Sequence, residues 1–477
     1  MTTTPDEAAA IIARAAAAAP LLRESADLDR AGWLDAAADA LDDARDELVP
    51  IAHEESRLPT PRLQGEVART TGQLRLLAEV VREGSWREAI IDHAVPERAQ
   101  PELRRMLIPV GVVANYSASN FPFAFSVAGG DTASALAAGC PVVVKAHSGH
   151  PLLSERTAEV LSAALVAAGA PEGVVGLVHG REMGRELIVH PSIAAGSFTG
   201  SVGGGRALFD LAAGRPDPIP FYGELGSVNP VVITATALSQ DAAGLAAGLA
   251  ASFTLGVGQF CTNPGLIFVP AGLGFAEQVA AAASGTAEAE MLTPGIASAY
   301  RDGWDRLAAV ADVRVVTAVR GSDRAAGPGV AVTTLAAFAA NPVLAEEVFG
   351  PATLIVEYAD AADLHTVLGG LSGSLTATVH AGTGEEIGEL VSVLSTRAGR
   401  VLFGGWPTGV AVTWSQHHGG PWPATTSLHT SVGATSLRRF LRPIVFQDAP
   451  PAVLPPALRD ENPLGIPRRV NGILTLD

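Results

Sequence analysis

From about residue 108 the chain settles into a rhythm that few folds accommodate, in which short β-branched runs alternate with segments of helix length. The order is IPVGVVANY, SVAGGDTASALAAG, PVVVKA, LLSERTAEVLSAALVAAG, GVVGLVHG, EMGRELIVHP, IAAGSFTGS and GGGRALFDLAAG. Strands that are apolar throughout must be covered on both faces, and the intervening helices supply that cover. The rhythm therefore predicts an α/β fold with a doubly wound parallel sheet. Upstream, residues 5–88 carry apolar positions at spacings of three and four, as in AGWLDAAADALDDARDELVPIA, and read as helices. Downstream, residues 227–415 form a second α/β stretch, with PVVIT, GLIFVP, VRVVT, TLIVEY, LTATVHAG and GRVLFGG as its strands. The tail, residues 440–477, is rich in proline and extended patterns that would wrap a neighbouring segment or another subunit.

A chain of 477 residues fits two or three domains. Its net charge of −17 is not interrupted by any basic cluster, which argues against a nucleic-acid or anionic-membrane partner. The N-terminal segment lacks a basic leader region, and the longer Ala/Val runs are broken by Gly, Pro, Asp or Arg. With only Cys140 and Cys261 there is no disulfide framework, so a reducing cytoplasm is the expected setting.

In a doubly wound sheet, ligands bind beyond the carboxyl ends of the strands. Asn120 follows GVVANYSAS, Lys145 closes PVVVKA, and Gly200 and Ser201 follow GSFTGS just before a helix. A helix N-terminus at that edge would attract a pyrophosphate. Lys145 is the sole lysine among 32 lysines and arginines. Either one lysine codon has survived by chance, or the position needs a compact ammonium where the wide arginine fork does not fit.

Three further stretches carry chemistry. Cys261 in LGVGQFCTNPG sits in a glycine-rich turn, where backbone N–H groups would stabilise a thiolate and lower its pKa; the competing reading is a buried cysteine serving as a small hydrophobe. Glu224 in FYGELGSVNPVVI interrupts an otherwise apolar strand with glycines on both sides, where desolvation would raise its pKa toward that of a general base; the competing reading is a buried glutamate paired with an arginine. Glu346 and Glu347 in LAEEVFGPATLIVEY precede a strand, and such a pair is ordinarily a helix end.

SASNFPFAF, VVVKAHSGHP, SFTGS, GELGSVNP, GQFCTNPG and EEVFGP, in that order, resemble the aldehyde dehydrogenase superfamily. The tail, with GRVLFGGWPTGVAV, HHGGPWPATTSLHTSVG and RRFLRPIVFQDAP, is similar to the α-ketoglutaric semialdehyde (2,5-dioxopentanoate) dehydrogenase branch, so the resemblance covers nearly the whole chain. It implies an aldehyde dehydrogenase-like fold: a Rossmann-type cofactor domain (1–88 and 108–226), an α/β catalytic domain (227–415), and a small β oligomerisation element (89–107 with 440–477).

The resemblance also implies roles. Cys261 would attack the aldehyde carbonyl, and the side-chain amide of Asn120 with the Cys261 N–H would hold the oxyanion. Hydride would pass to a nicotinamide, and Glu224 would activate the water that hydrolyses the thioester. Lys145 would reach the adenosine ribose or a 2′-phosphate, Gly200 and Ser201 the pyrophosphate, and Glu347 and Phe349 the nicotinamide end. Relatives preferring NAD commonly carry glutamate where this chain has Ser148; its absence favours NADP, with Arg181 as a phosphate partner, and leaves NAD possible. Phe121, Phe125, Phe260, Thr262 and His429 are the expected substrate contacts, and no metal is expected. A homodimer or homotetramer is the implied assembly.

One departure stands out. The branch usually carries an arginine in the loop corresponding to TSLHTSVG, where this chain has Leu428 and His429. His417, His418 and His429 could supply polar contacts to substrate, with surface histidines as the ordinary reading. NADP-dependent oxidation of long-chain or aromatic aldehydes is the alternative substrate reading; a non-catalytic scaffold and a cofactor-free thioester or ester hydrolase are the alternatives of other classes.

Overall fold

The computed structural model describes residues 1–476 apart from Thr408. Helices α1 (Pro5–Glu24), α2 (Asp27–Asp43), α3 (Arg45–Ser56) and α4 (Thr60–Glu83) occupy the N-terminal region. Thr4 opens α1 with a capping box, its hydroxyl accepting from the Glu7 N–H while Glu7 reaches back to the Thr4 N–H. Leu34, Ala37, Ala38 and Leu41 of α2 share a core with Leu63, Val67, Leu74 and Leu77 of α4. The alanines let the two axes approach closely, and Gly84 at φ +81° ends α4.

Strands β1 (Ala89–Asp92) and β2 (Leu103–Pro109) meet the tail of the same chain. The five-stranded order is Leu441–Gln447, β2, β1, Arg468–Val470, Ile473–Thr475. Antiparallel pairing runs from Leu441 opposite Pro109 to Gln447 opposite Leu103. The extended tail thus covers residues 89–109 of its own chain.

The first parallel sheet contains β3 (Val112–Tyr116), α5 (Gly130–Ala138), β4 (Val142–Lys145), α6 (Pro151–Ala167), β5 (Val175–Val178), α7 (Arg181–Val189), β6 (Ile193–Thr199), α8 (Val202–Ala213) and β7 (Phe221–Glu224). Its order is β5-β4-β3-β6-β7, all parallel. Both faces are buried: Val142 and Val144 join the core beneath α2, α4 and α6, while Val143 joins the core beneath α1 and α7. Strand order reverses between β3 and β6, which opens a crevice at their carboxyl ends.

The second sheet has seven strands in the order Arg314–Thr317, Gly329–Thr334, Ala352–Tyr358, β9 (Leu266–Pro270), β8 (Val231–Ile233), Ser374–His380, Ala398–Phe403. Only the edge strand Arg314–Thr317 pairs antiparallel. Gly329–Thr334 lies inside this sheet but is missing from the strands expected from sequence; its short run follows Gly-Pro-Gly and leads into an alanine-rich helix, so it reads as a loop. Helix α9 (Ala235–Thr254) packs Leu249 and Phe253 against the β8–β9 face. By length and composition alone, Ala235–Gly258 passes as a membrane span, with a mean hydropathy of 1.3. Asp241 breaks its helical geometry, and its Leu and Phe residues serve the core of the sheet.

Candidate active site

The loop carrying Cys261 leaves α9 through backbone that only a few residues tolerate. Gly256, Val257 and Gly258 all have φ near +60°. At Gly258 an added Cβ would lie 2.2 Å from the Gly350 carbonyl, so this loop and the Glu347–Phe349 loop press together backbone to backbone. Asn263 Nδ2 donates to Gly350 O (3.1 Å), and Asn229 Nδ2 donates to the carbonyls of Cys261 (2.8 Å) and Asn263 (2.9 Å). The nucleophile loop is pinned on both sides before any substrate enters.

Cys261 Sγ lies 3.6 Å from His418 Nε2, and that nitrogen lies 2.9 Å from Glu224 Oε1. The other Glu224 oxygen accepts from Ser431 Oγ at 2.7 Å. Glu224 ends β7, and His418 and Ser431 come from the loop region beyond the second sheet. Asn120, in the loop after β3, donates from Nδ2 to the Gln259 carbonyl (3.2 Å), while its own carbonyl accepts from Arg62 Nη2 (2.7 Å). The predicted oxyanion donor is therefore held two residues from the cysteine. Phe121 packs edge-on against Phe125 and Phe260, with centroids 5.5 and 5.4 Å apart, and Thr262 is buried behind them.

Three expectations are corrected here. His418 is 1% exposed and bonded to Glu224, so it is not a surface histidine. The Cys261 thiol is pushed well above its ordinary pKa, first by burial and then by the Glu224 charge beside it; the turn's N–H groups do not outweigh these effects. Glu224 moves the other way. Burial pushes its carboxyl up, but His418, Ser431 and Cys261 together hold it below the usual carboxylate range. Iodoacetamide labelling of the ligand-free protein checks the thiol: the Cys261 rate is expected to rise with pH beyond the ordinary thiol value of ~8.5. A plateau already reached at neutral pH would contradict the enclosure described.

The cofactor residues form a second group along the first sheet. Lys145 ends β4 half-buried, its pKa lowered by burial and by Arg181, which opens α7. Two neighbouring cations of this kind suit an anion. Ser148 and Arg181 are exposed beside them. Ser201 caps α8, accepting from the Gly204 N–H, and Gly200 precedes it. Glu347 sits against Gly226, where an added Cβ would lie 2.6 Å from Oε2, and burial pushes its carboxyl up to about 7. Phe349 lines the same cleft, whereas Glu346 is exposed near Arg306. His429 is exposed against Tyr222, with ring centroids 5.8 Å apart, on a cleft that Glu224 also lines. Leu428 is 91% exposed.

Sequence reasoning missed His418, Ser431 and the arginines near the aromatic cluster. The adjacent pair His417–His418 before Gly-Gly was one available signal. The spacing of Arg62, Glu66 and Arg69 at i, i+4 and i+7 on an otherwise apolar helix face was another.

Residues 1–441 match the aldehyde dehydrogenase family. The chain is 47% identical over 456 residues to alpha-ketoglutaric semialdehyde dehydrogenase 2 of Azospirillum brasilense, covering 93% of this chain and 87% of that protein. It is 43% identical over 458 residues to alpha-ketoglutaric semialdehyde dehydrogenase of Acinetobacter baylyi, covering 94% and 87%. Its fold is similar to that of aldehyde dehydrogenase 21 from Physcomitrella patens, solved in complex with the reaction product succinate; the TM-score is 0.79 at 21% identity, over 95% of this chain and 92% of that one. Matched over residues 1–441 and by relatives at 43–47% identity, the chain belongs to the aldehyde dehydrogenase family, whose members oxidise aldehydes to acids with NAD(P).

Proposed function

We propose that this protein oxidises α-ketoglutaric semialdehyde, or a similar short aldehyde bearing a carboxylate, to the corresponding diacid, with NADP preferred over NAD. The observation that carries the reaction is the enclosed cluster of Cys261, His418 and Glu224 beside Asn120. The two semialdehyde dehydrogenase relatives support the substrate.

Cys261 Sγ adds to the carbonyl carbon as the thiolate, its proton having been released to solvent. The new oxyanion takes hydrogen bonds from Asn120 Nδ2 and the Cys261 N–H. NAD(P), when bound, supplies the hydride acceptor. Glu224, already ionised, then takes a proton from the water that attacks the thioester, which releases the acid and the thiol.

Lys145 and Arg181 would hold the adenosine ribose or its 2′-phosphate, the α8 N-terminus with Gly200 and Ser201 the pyrophosphate, and Glu347 the nicotinamide ribose. Arg181→Ala is expected to raise the KM for NADP by about 10–100-fold, the loss of one charge-assisted hydrogen bond, with a much smaller effect on NAD. An unchanged NADP-to-NAD ratio would remove Arg181 from this role.

We read residues 1–88 and 108–226 as the cofactor domain, 227–415 as the catalytic domain, and 89–107 with 440–477 as the oligomerisation element. The exposed edge strand, with Ile473 72% and Leu474 68% accessible, supports a homodimer or homotetramer. The aromatic cluster favours one rival, NADP-dependent oxidation of long-chain or aromatic aldehydes.

A further inference from the structure

Helix α4 turns a charged stripe inward. Arg62, Glu66 and Arg69 lie at i, i+4 and i+7, and the loop of Phe121–Phe125 covers them. Glu66 Oε1 accepts from the N–H groups of Phe123 (2.8 Å) and Ala124 (3.0 Å), so it holds that loop rather than neutralising an arginine by direct hydrogen bond. Arg62 donates to the Asn120 carbonyl and stacks over Phe121 and Phe260, its guanidinium carbon 5.0 and 4.8 Å from the ring centroids. Although Glu66 Oε2 and Arg62 Nη1 are buried without a hydrogen-bond partner among the described residues, these two residues serve the architecture of the loop.

Arg69 does not. Its Nε donates to the Val410 carbonyl at 3.3 Å, which leaves Nη1 and Nη2 buried without a hydrogen-bond partner among the described residues. The guanidinium carbon lies 5.2 Å from the Phe125 ring centroid, and that ring lies 6.3 Å from His418, which contacts Cys261. The Arg69 charge is opposed first by Glu66 on its own helix and then by Cys261 and Glu224. A permanently charged fork buried without an acceptor is costly, and its two terminal N–H groups match the two oxygens of one carboxylate. The loop bearing Leu428, where an arginine was expected, points its leucine into solvent.

We propose that Arg69 receives the distal carboxylate of the aldehyde substrate through Nη1 and Nη2, and thereby sets a preference for short aldehydes ending in an acid. The proposal rests on the reading of the substrate as an acid-bearing semialdehyde. Arg400, on the strand Ala398–Phe403, is the rival clamp, since its Nε and Nη2 are also buried without partners and its charge also reaches Cys261. Arg69 is favoured because it stands over the Phe125 ring, which neighbours His418, on the helix that holds the Asn120 loop.

The test compares α-ketoglutaric semialdehyde with pentanal, which has the same chain length and no acid, in the wild type, R69Q, R69K and R400Q. Replacing the fork in R69Q is expected to lower the ratio of the two kcat/KM values by about 10–100-fold, chiefly through the KM of the oxo acid. R69K keeps the charge without the fork and should fall between. An equal loss on both substrates in R69Q, or a ratio that moves in R400Q and not in R69Q, overturns the proposal while leaving the substrate reading intact. A wild type that prefers pentanal overturns both. Should R69Q fail to fold, R69K still decides: 2-oxoglutarate is expected to protect Cys261 of the wild type from iodoacetamide, with about tenfold more needed for R69K. Equal protection in the two proteins contradicts the assignment.

Discussion

Cys261→Ala is expected to abolish aldehyde oxidation, lowering turnover by about 10⁴-fold or more, because it removes the thiol that forms the covalent adduct. Cys140, the second cysteine, is fully buried in the core under α5, with its thiol donating to the Phe440 carbonyl and its pKa pushed to about 11 by burial. It offers no substitute nucleophile. Alanine leaves the Asn229 clamp on the loop intact, since that clamp uses the backbone carbonyl of residue 261 rather than the sulfur. NADPH binding, followed by its fluorescence, should therefore survive while initial rates vanish. Appreciable remaining turnover would take the nucleophile role from Cys261.

Glu224→Gln is the second large effect. Glutamine keeps the shape and can still meet His418 and Ser431, but it cannot accept the proton of the attacking water, so hydrolysis should slow by about 10²–10⁴-fold. Acylation does not need that step. One equivalent of reduced cofactor should form in a burst, after which the protein carries the acyl group, visible by intact mass spectrometry. An unmodified mass after the burst would place deacylation elsewhere. In the native protein the carboxyl is held below its usual range, mainly by His418, against the opposing push of burial. A carboxylate so depressed adds stability above its unfolded value near 4.3, and that contribution is lost as pH falls through the lower folded value.

Much of this was legible in the chain itself. The alternation that sends Val142 and Val144 to one face and Val143 to the other is a local pattern, and it foretold the first sheet. Lys145 and Ser201 fall at strand ends because strand length is also local, whereas Glu224, expected inside a strand, ends β7. What stayed hidden depends on distant enclosure. His418 is 157 residues from Cys261, and only the folded chain makes it a partner rather than a surface histidine. The directions of the Cys261 and Glu224 pKa shifts follow from that same enclosure, so a local reading of their turns gave both wrongly. Arg69 lies on a helix whose inward face becomes a site only once the Phe121–Phe125 loop lies across it.

The most direct test of the account is a set of initial rates of NAD(P)H formation by the wild-type protein. Substrates would be α-ketoglutaric semialdehyde, succinic semialdehyde, hexanal, decanal and benzaldehyde, each with NADP and with NAD. The account predicts the highest kcat/KM for α-ketoglutaric semialdehyde with NADP, with succinic semialdehyde next. A preference for decanal or benzaldehyde would contradict the assigned substrate, and no turnover with any pair would contradict the catalytic reading of Cys261, His418 and Glu224.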